Sequence, residues 1–391
     1  MFVHRIGDFL IPPRRGVLNM PSKLSTNGIP AGSSSKVSII DNTFLYNIPV
    51  DNYIQPIVPG YEKFSLPSYA FLIENSAGRK VLFDFSLRKD WENLTPEALH
   101  EIHADGIKIE IERDVVDILR EGGIDGEEIE AVVFSHHHWD HIGDMSRLPP
   151  STDIVVGPGF KEAFLPGYPA NPDSPILQTD YENHNVQEID FSDPILSIVD
   201  IGPFKGHDYF GDGSLYLLNA PGHSIGHFCA LARTTSSPDT FVFMGADAAH
   251  HLGEIRPSIY KPLPKSIVPH PILPSSVYPC PGESWAKYLQ SRGRSVNMPF
   301  FEIPDTSAGA AYTHDVQVSK ETIANVQDID SGEEMLVILA HDESIKGIVE
   351  FFPHAINDWK ERGWGKSHAW GFLKDFQKVY YDCETRESTN K

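Results

Sequence analysis

The chain has 391 residues, of which 40% are apolar and 11% aromatic, and this composition indicates a folded globular protein. Its formal net charge of −22 gives a surface that repels phosphate backbones and anionic membranes, so we expect neither a nucleic-acid nor a membrane partner. Three widely spaced cysteines and the lack of a long apolar stretch argue against a disulfide framework and a membrane span, and predict a soluble cytoplasmic protein.

Apolar runs bounded by turn-forming residues predict an alternation of strands and helices. Residues 21–36 are polar and turn-rich, so residues 1–36 are predicted to form an N-terminal arm or loop. The predicted strands are VSIID, SYAFLIEN, KVLFDFS, DIVVG, VQEID, SLYLLNA, HFCALA, FVFMG and MLVILA. The second and third are joined by a short turn, which predicts a hairpin.

Two helices are predicted from apolar residues at helical spacing. The first contains Ile111, Val115, Ile118 and Leu119 and stops at a pair of glycines. The second lies near the end of the chain, and its apolar face consists of Ala369, Phe372, Leu373, Phe376 and Tyr380. Both are expected to pack against the core.

The stretch VVFSHHHWDHIGD, residues 132–144, places four histidines and two aspartates directly after an apolar strand. Crowded imidazoles repel one another when protonated and lose solvent when neutral, and a bound metal ion removes both costs. In an extended segment His136 and His138 point the same way, and the turn that follows can direct Asp140 and His141 toward a second ion. The alternative, a histidine-rich surface loop, is disfavoured by this register after a strand. Two interleaved residues are predicted to pack or to support the ligands: His137 and Trp139.

Three later strands also end in residues that can bind a metal. His223 lies in the glycine-flanked turn of LNAPGHSIGH, Asp247 follows the strand in FVFMGADAAHH, and His341 follows the strand in EMLVILAHD. Enzymes of the α/β class assemble sites along the edge of a sheet where strands end. A single strand-end aspartate is more often a turn former, so the prediction depends on the combination with the first motif.

The order HHHWDHIGD, PGHSIGH, GADA and a strand-end AHD resembles the metallo-β-lactamase superfamily, and within it the N-acyl homoserine lactonase-like branch. The resemblance runs from about residue 37 to the end and implies an α/β fold, an αββα sandwich of two sheets with helices outside. It also implies a single domain over residues 37–391, with a long insertion at about residues 253–333 before the last metal ligand.

The ligand set is implied by the same resemblance. The first metal would be held by His136, His138 and His223, and the second by Asp140, His141 and His341, with Asp247 bridging both. His341 is preferred to His314 and His354 because it alone follows a clear buried strand. These nitrogen and oxygen ligands imply two divalent metal ions, with zinc preferred and iron, manganese or cobalt also compatible.

The function implied is a dinuclear hydrolase that opens a small-molecule lactone or lactam by attack of a metal-bridging hydroxide. Asp140, Asp247 and His250 are the candidate catalytic residues. His250 stands where bacterial lactonases of this branch carry a tyrosine, and its imidazole can donate to the oxyanion or to the leaving group. Alternatively it steadies a ligand carboxylate, with His251 as a substitute. A homodimer is compatible with this prediction.

Two other functions stay open at this point. A thioesterase of the glyoxalase II-like type shares all seven ligand types, and a mononuclear iron persulfide dioxygenase would leave the second group of ligands partly unused. The proline-rich segment 256–281 of the insertion is either a solvated loop or a lid over the substrate pocket.

Overall fold

The computed structural model describes residues 28–304 and 312–381, whose strands form two large sheets and a two-stranded ribbon. The first large sheet contains β1 (Ser35–Pro49), β2 (Lys63–Asn75), β3 (Lys80–Phe83), β4 (Lys108–Ile111), β5 (Ile129–Val133), β6 (Asp153–Val156) and β7 (Val186–Glu188). The second contains β8 (Ile198–Ile201), β9 (Phe204–Asp208), β10 (Leu215–Asn219), β11 (Phe228–Ser236), β12 (Asp239–Met244) and β15 (Met335–Ile338), and the ribbon pairs β13 (Ser266–Ile267) with β14 (Cys280–Pro281). Of the predicted arm over residues 1–36, residues 1–27 lie outside the described part of the chain.

The α-helices lie outside the two sheets. They are α1 (Pro96–Asp105), α2 (Val115–Glu121), α3 (Phe160–Phe164), α4 (Gly282–Ser291), α5 (Val316–Asp330) and α6 (Trp364–His368), and a 3₁₀ helix covers Gly371–Phe376. Side chains cap the first two helices, since Thr95 accepts from the backbone N–H of Ala98, and Asp114 from that of Val116. Each helix in the described ranges is too short or too polar to cross a lipid bilayer.

The strand order brings several chain segments to one edge of the molecule. The first sheet has the order β4-β1-β2-β3-β5-β6-β7, with β3, β5, β6 and β7 parallel. The second has the order β15-β12-β11-β10-β9-β8, in which β10, β12 and β15 run in the same direction. Parallel strands end at the same edge, so the segments that follow β10, β12 and β15 emerge close together.

Apolar contacts build the four layers. Phe83 of the first sheet and Leu217 of the second belong to the cluster that fills the space between the sheets. Leu119 of α2 packs on the outer face of the first sheet around Val132, and Val326 of α5 belongs to the cluster on the outer face of the second. Each large apolar side chain buried in this way stabilises the fold by roughly 1.5–3 kcal/mol. The predicted αββα sandwich is confirmed.

The described part of the insertion at residues 253–333 contains two packed helices, α4 and α5, whereas its proline-rich stretch over residues 259–279 is irregular outside β13 and mostly exposed. Trp285 of α4 is buried and packs edge-on against Phe376, with 5.9 Å between ring centroids. The guanidinium of Arg256 donates two hydrogen bonds to the buried carboxylate of Asp330, at 2.8 and 2.6 Å, and one to the carbonyl of Ala369. These contacts tie the two ends of the insertion together and fix it against the C-terminal segment.

Three sequence-based boundaries differ from the structure. Ile111 does not begin the first predicted helix, because it pairs with Thr43 as the last residue of β4. The strand predicted over KVLFDFS ends at Phe83, since Asp84 adopts the left-handed conformation with φ of 59°. The last predicted helix begins as the 3₁₀ helix Gly371–Phe376, although its apolar side chains are buried as predicted except that of Ala369, which is partly buried. All nine predicted strands are present, and β2 and β3 form the predicted hairpin.

Candidate metal centre

The seven side chains predicted as ligands converge at the edge of the sandwich where the strands end. They fall into two groups, within each of which one ligand atom per residue lies within 4.8 Å of all the others. The first group is His136, His138, His223 and Asp247, and the second is Asp140, His141 and His341. The two alternatives considered for the last ligand, His314 and His354, are both exposed and belong to neither group.

The carboxylate of Asp247 lies between the two groups. Its Oδ2 is 3.8 Å from His136 Nε2 and 3.5 Å from His223 Nε2. Its Oδ1 is 3.3 Å from His141 Nε2 and 3.2 Å from His341 Nε2. Each oxygen therefore faces a different group, which is the geometry that a bridging carboxylate requires.

Backbone hydrogen bonds between β12 and β15 place Asp247 beside His341. Gly245 N donates to Ile338 O at 2.8 Å, and Ala340 N donates to Ala246 O at 3.1 Å. The ladder of the second sheet thus continues for two residues beyond the strands. It fixes the two side chains at adjacent strand ends before any ligand binds.

The turn that carries His223 depends on a glycine and on the insertion. Gly222 has φ of 126°, and a Cβ there would lie 2.3 Å from the backbone nitrogen of Ser319 in α5. The segment before α5 also holds the turn directly, because His314 N donates to His223 O at 2.9 Å and Asp315 N donates to Gly222 O at 2.8 Å. The insertion therefore helps to position a ligand of the first group.

Hydrogen bonds orient the imidazoles of the second group. The Nδ1–H of His341 donates to the carbonyl of Pro67 at 2.8 Å, and His141 Nδ1 lies 3.0 Å from Asp84 Oδ2. Asp84 also accepts from the backbone N–H of Ser135 at 2.8 Å. With Nδ1 used in this way, the Nε2 lone pair of each ring is left for the centre, as in known histidine metal ligands.

The electrostatics of the first group favour neutral imidazoles. Burial, followed by repulsion from neighbouring imidazoles, lowers the pKa of His136, His138 and His223 well below the usual range. Neutral imidazole is the form that binds a metal, so these three rings are prepared as ligands.

The second group has the opposite tendency. Burial acts to lower the pKa of His141 and His341, but the carboxylates around them, with Asp247 foremost, outweigh it and raise both. The pKa of Asp247 is held well below its usual range, because His341 and His141 outweigh the effect of burial. This part of the centre stabilises positive charge, which a divalent cation supplies in place of protons.

The comparisons with known proteins agree with this geometry. The profile of the metallo-β-lactamase superfamily matches residues 65–233. The chain is 39% identical over 350 residues to Gamma-lactamase FDB1 of Fusarium pseudograminearum (strain CS3096), a match that covers 88% of this chain and 83% of that protein. The chain belongs to the metallo-β-lactamase superfamily. The prediction of a metal-dependent hydrolase is confirmed with it.

Two further comparisons extend this finding. The chain is 41% identical over 373 residues to Cytochrome P450 monooxygenase mpaDE' of Penicillium brevicompactum, and the match covers 94% of this chain but 39% of that protein. The fold is similar to that of an AiiA variant from B. thuringiensis with N-decanoyl-L-homoserine bound at its active site. That superposition has a TM-score of 0.53 and 18% identity, and covers 83% of this chain and all of the other.

The residues present fit the metals that the metallo-β-lactamase superfamily implies. His141 Nε2 and Asp247 Oδ1 are buried and lie 3.3 Å apart, but neither makes a well-aligned hydrogen bond with any described residue. Leaving such atoms unpaired costs about 1–3 kcal/mol each, and a coordinated ion removes that cost. The donor set of imidazole nitrogens and carboxylate oxygens suits zinc and other divalent transition metals.

A narrow cleft opens beside the ligands. Its wall is mostly apolar or aromatic and includes Leu45, Ile48, Tyr53, Phe64, Leu66, Ile107, Trp139 and Tyr312. Glu101 of α1 is the acidic residue of this wall besides the ligands, and among the described residues no lysine or arginine lines the cleft.

His250 lies at this cleft, and its neighbour His251 does not. His250 Nε2 is 3.4 Å from Asp247 Oδ2, and its ring lies 4.8 Å from that of Tyr53. His251 Nε2 pairs with Asp375 at 3.1 Å, and its ring packs against Phe301 instead. Of the two histidines weighed from the sequence, His250 is therefore the one at the centre.

The sequence alone did not indicate two residues of the site. Asp84 orients His141, but in the sequence it stands between two phenylalanines and reads as part of a continuous strand. The one sign of its role was a single carboxylate within that apolar run. Glu101 lies on α1, for which no helix was predicted, so nothing in its local pattern pointed to the cleft. The interleaved His137 stacks on Phe164 with 4.0 Å between ring centroids, as a packing residue would.

Proposed function

We propose that the protein is a dinuclear metal-dependent hydrolase that opens a lactone or a lactam. The observation that carries the proposal is the position of the Asp247 carboxylate, which directs one oxygen at each ligand group. A carboxylate so placed would hold two ions and would offset their mutual repulsion. The seven ligands are also more than a single tetrahedral site requires.

Metal ions bound there would supply an activated water molecule near neutral pH and Lewis-acid polarisation of a carbonyl group. The chain's own residues supply orientation and proton transfer. The carboxylates of Asp140 and Asp247 lie 3.6 and 3.2 Å from His341 Nε2. These contacts keep the second group together. His250, at the boundary between the ligands and the cleft, is placed to donate a hydrogen bond to the oxygen or nitrogen that leaves the carbonyl carbon.

The lining of the cleft supports a neutral cyclic substrate over an anionic thioester or persulfide. A thiol carrier that bears carboxylates would need cationic partners, but the described residues of the cleft wall provide none and add the carboxyl of Glu101. A small lactone or lactam has no net charge and matches the apolar surface. The gamma-lactamase relative acts, by its name, on a lactam.

The second ligand group supports two ions over one. A mononuclear dioxygenase has no need of Asp140, His141 and His341 as a set, yet these three converge within 4.8 Å. Their histidines are also oriented by dedicated acceptors, Pro67 O and Asp84. Such support for unused ligands has no purpose in a one-metal enzyme.

A substrate screen tests this proposal. Protein of known zinc content would be supplied with matched lactones, lactams and thioesters of the same acyl chain, and acid or thiol release would be followed. We expect kcat/KM for at least one lactone or lactam to exceed that of the matched thioester by more than about tenfold, because the thioester lacks the cyclic shape that the cleft accommodates. Thioester hydrolysis at the higher rate, or oxygen uptake with a persulfide, would contradict the proposal.

A further inference from the structure

The cleft contains a carboxyl group that the proposed chemistry does not use. Glu101 lines it together with Trp139, Asp140 and Tyr312. The indole N–H of Trp139 donates to Glu101 Oε2 at 3.4 Å. Within the described residues, the side chain of Glu101 makes this one hydrogen bond. The carboxyl of Glu101 therefore keeps accepting capacity at the wall of an otherwise apolar cleft.

A second acidic residue on this face of α1, Asp105, is already engaged by side chains of the protein. Asp105 lies one helical turn after Glu101, so both side chains lie on the same side of the helix. Asp105 Oδ2 accepts from Tyr312 Oη at 3.0 Å and from Asn52 Nδ2 at 3.4 Å. Tyr312 in turn stacks on Tyr53, with 5.1 Å between ring centroids, and this completes an aromatic wall. Asp105 thus builds the wall, whereas Glu101 remains for a ligand.

We propose that Glu101 is a specificity-determining residue, which accepts a hydrogen bond from a hydroxyl or N–H group of the substrate. The inference rests on the proposed hydrolase function and names a feature of its substrate. A substrate without a donor would displace water from the carboxyl and leave its second oxygen without a hydrogen-bond donor, so the cleft selects against it. An anionic substrate would be repelled.

The electrostatics at this position are compatible with that role. Burial, followed by the nearby carboxylate of Asp140, raises the pKa of Glu101 to about 7. A carboxyl group offers an accepting oxygen in both its ionised and its protonated form. Recognition of a donor therefore does not depend on which form is present.

The test compares a γ-lactone that carries a ring hydroxyl with the same lactone without it. In Glu101→Leu we expect kcat/KM for the hydroxylated lactone to fall roughly ten- to a hundredfold, mainly through KM, and that for the plain lactone to change less than about threefold. Glu101→Gln keeps a carbonyl acceptor and should retain much of the preference. If Glu101→Leu lowers both values equally, Glu101 does not determine specificity.

A binding measurement separates this inference from the proposed function. The dissociation constants of hydroxylated and plain cyclic ethers, which cannot be hydrolysed, would be measured for the same variants. Loss of the preference for the hydroxylated ether in Glu101→Leu supports the inference, even if neither lactone is hydrolysed. The absence of hydrolysis would overturn the hydrolase proposal alone. An unchanged preference overturns the inference. Glu92→Leu, at an exposed site before α1 that does not line the cleft, is the matched control and should behave as wild type.

Discussion

Replacement of Asp247 by alanine is expected to remove most of the bound metal and to slow hydrolysis on the order of a thousandfold or more. One oxygen of the wild-type carboxylate lies 3.5 Å from His223 Nε2 and the other lies 3.3 Å from His141 Nε2. Loss of the carboxylate therefore removes a metal-binding oxygen from both groups. It also removes the negative charge that stabilises cations at the second group. Elemental analysis of purified protein and initial rates with a lactone substrate measure the two effects.

The matched control for this substitution is Asp190→Ala. Asp190 also follows a strand, but it is exposed, and its carboxylate accepts from the backbone N–H of Ser192 at 2.8 Å, as a turn former does. We expect its metal content and rates to equal those of wild type. If Asp247→Ala behaves in the same way, the carboxylate of Asp247 is also only a turn former and does not bridge two ions.

Replacement of His250 by phenylalanine is expected to lower kcat roughly ten- to a thousandfold while about two ions stay bound. Phenylalanine keeps a ring against Tyr53, 4.8 Å away in the wild-type protein, but it cannot donate a hydrogen bond to the reacting group. Steady-state kinetics together with metal analysis of the same sample measure both quantities.

Two variants make the result for His250 interpretable. His250→Tyr restores a donor on an aromatic ring and should recover part of kcat. The neighbouring His251 pairs with Asp375, away from the ligands. The kcat of His251→Phe should therefore equal that of wild type. Loss of metal in proportion to activity in His250→Phe would instead show that the imidazole steadies Asp247, and an unchanged kcat would remove His250 from the mechanism.

Much of the candidate site was predictable because its ligands follow strands that read clearly as apolar runs. His223, Asp247 and His341 each stand directly after such a run, and β10, β12 and β15 run in the same direction and end at one edge. The choice of His341 over His314 depended on the same reasoning, and the structure places His341 beside Asp140 and His141.

The features that were missed depend on contacts between distant parts of the chain. Asp84 is recognisable as a supporting residue only when β3 and β5 lie side by side and bring it to His141. The insertion was interpreted from its prolines, and neither of its helices was predicted, yet α5 is fixed by the burial of Val326 and by the Arg256–Asp330 ion pair. Tertiary packing overrides weak local propensity in such segments.

A titration of metal-free protein with Zn²⁺, in which bound zinc and lactone hydrolysis are followed in the same samples, tests the dinuclear hydrolase most directly. We predict saturation at about two zinc ions per chain, because seven ligands exceed the four of one tetrahedral site. The full rate should require both ions, since Asp247 faces both groups. Saturation with full activity at one ion per chain, or hydrolysis that persists without metal, would contradict the account.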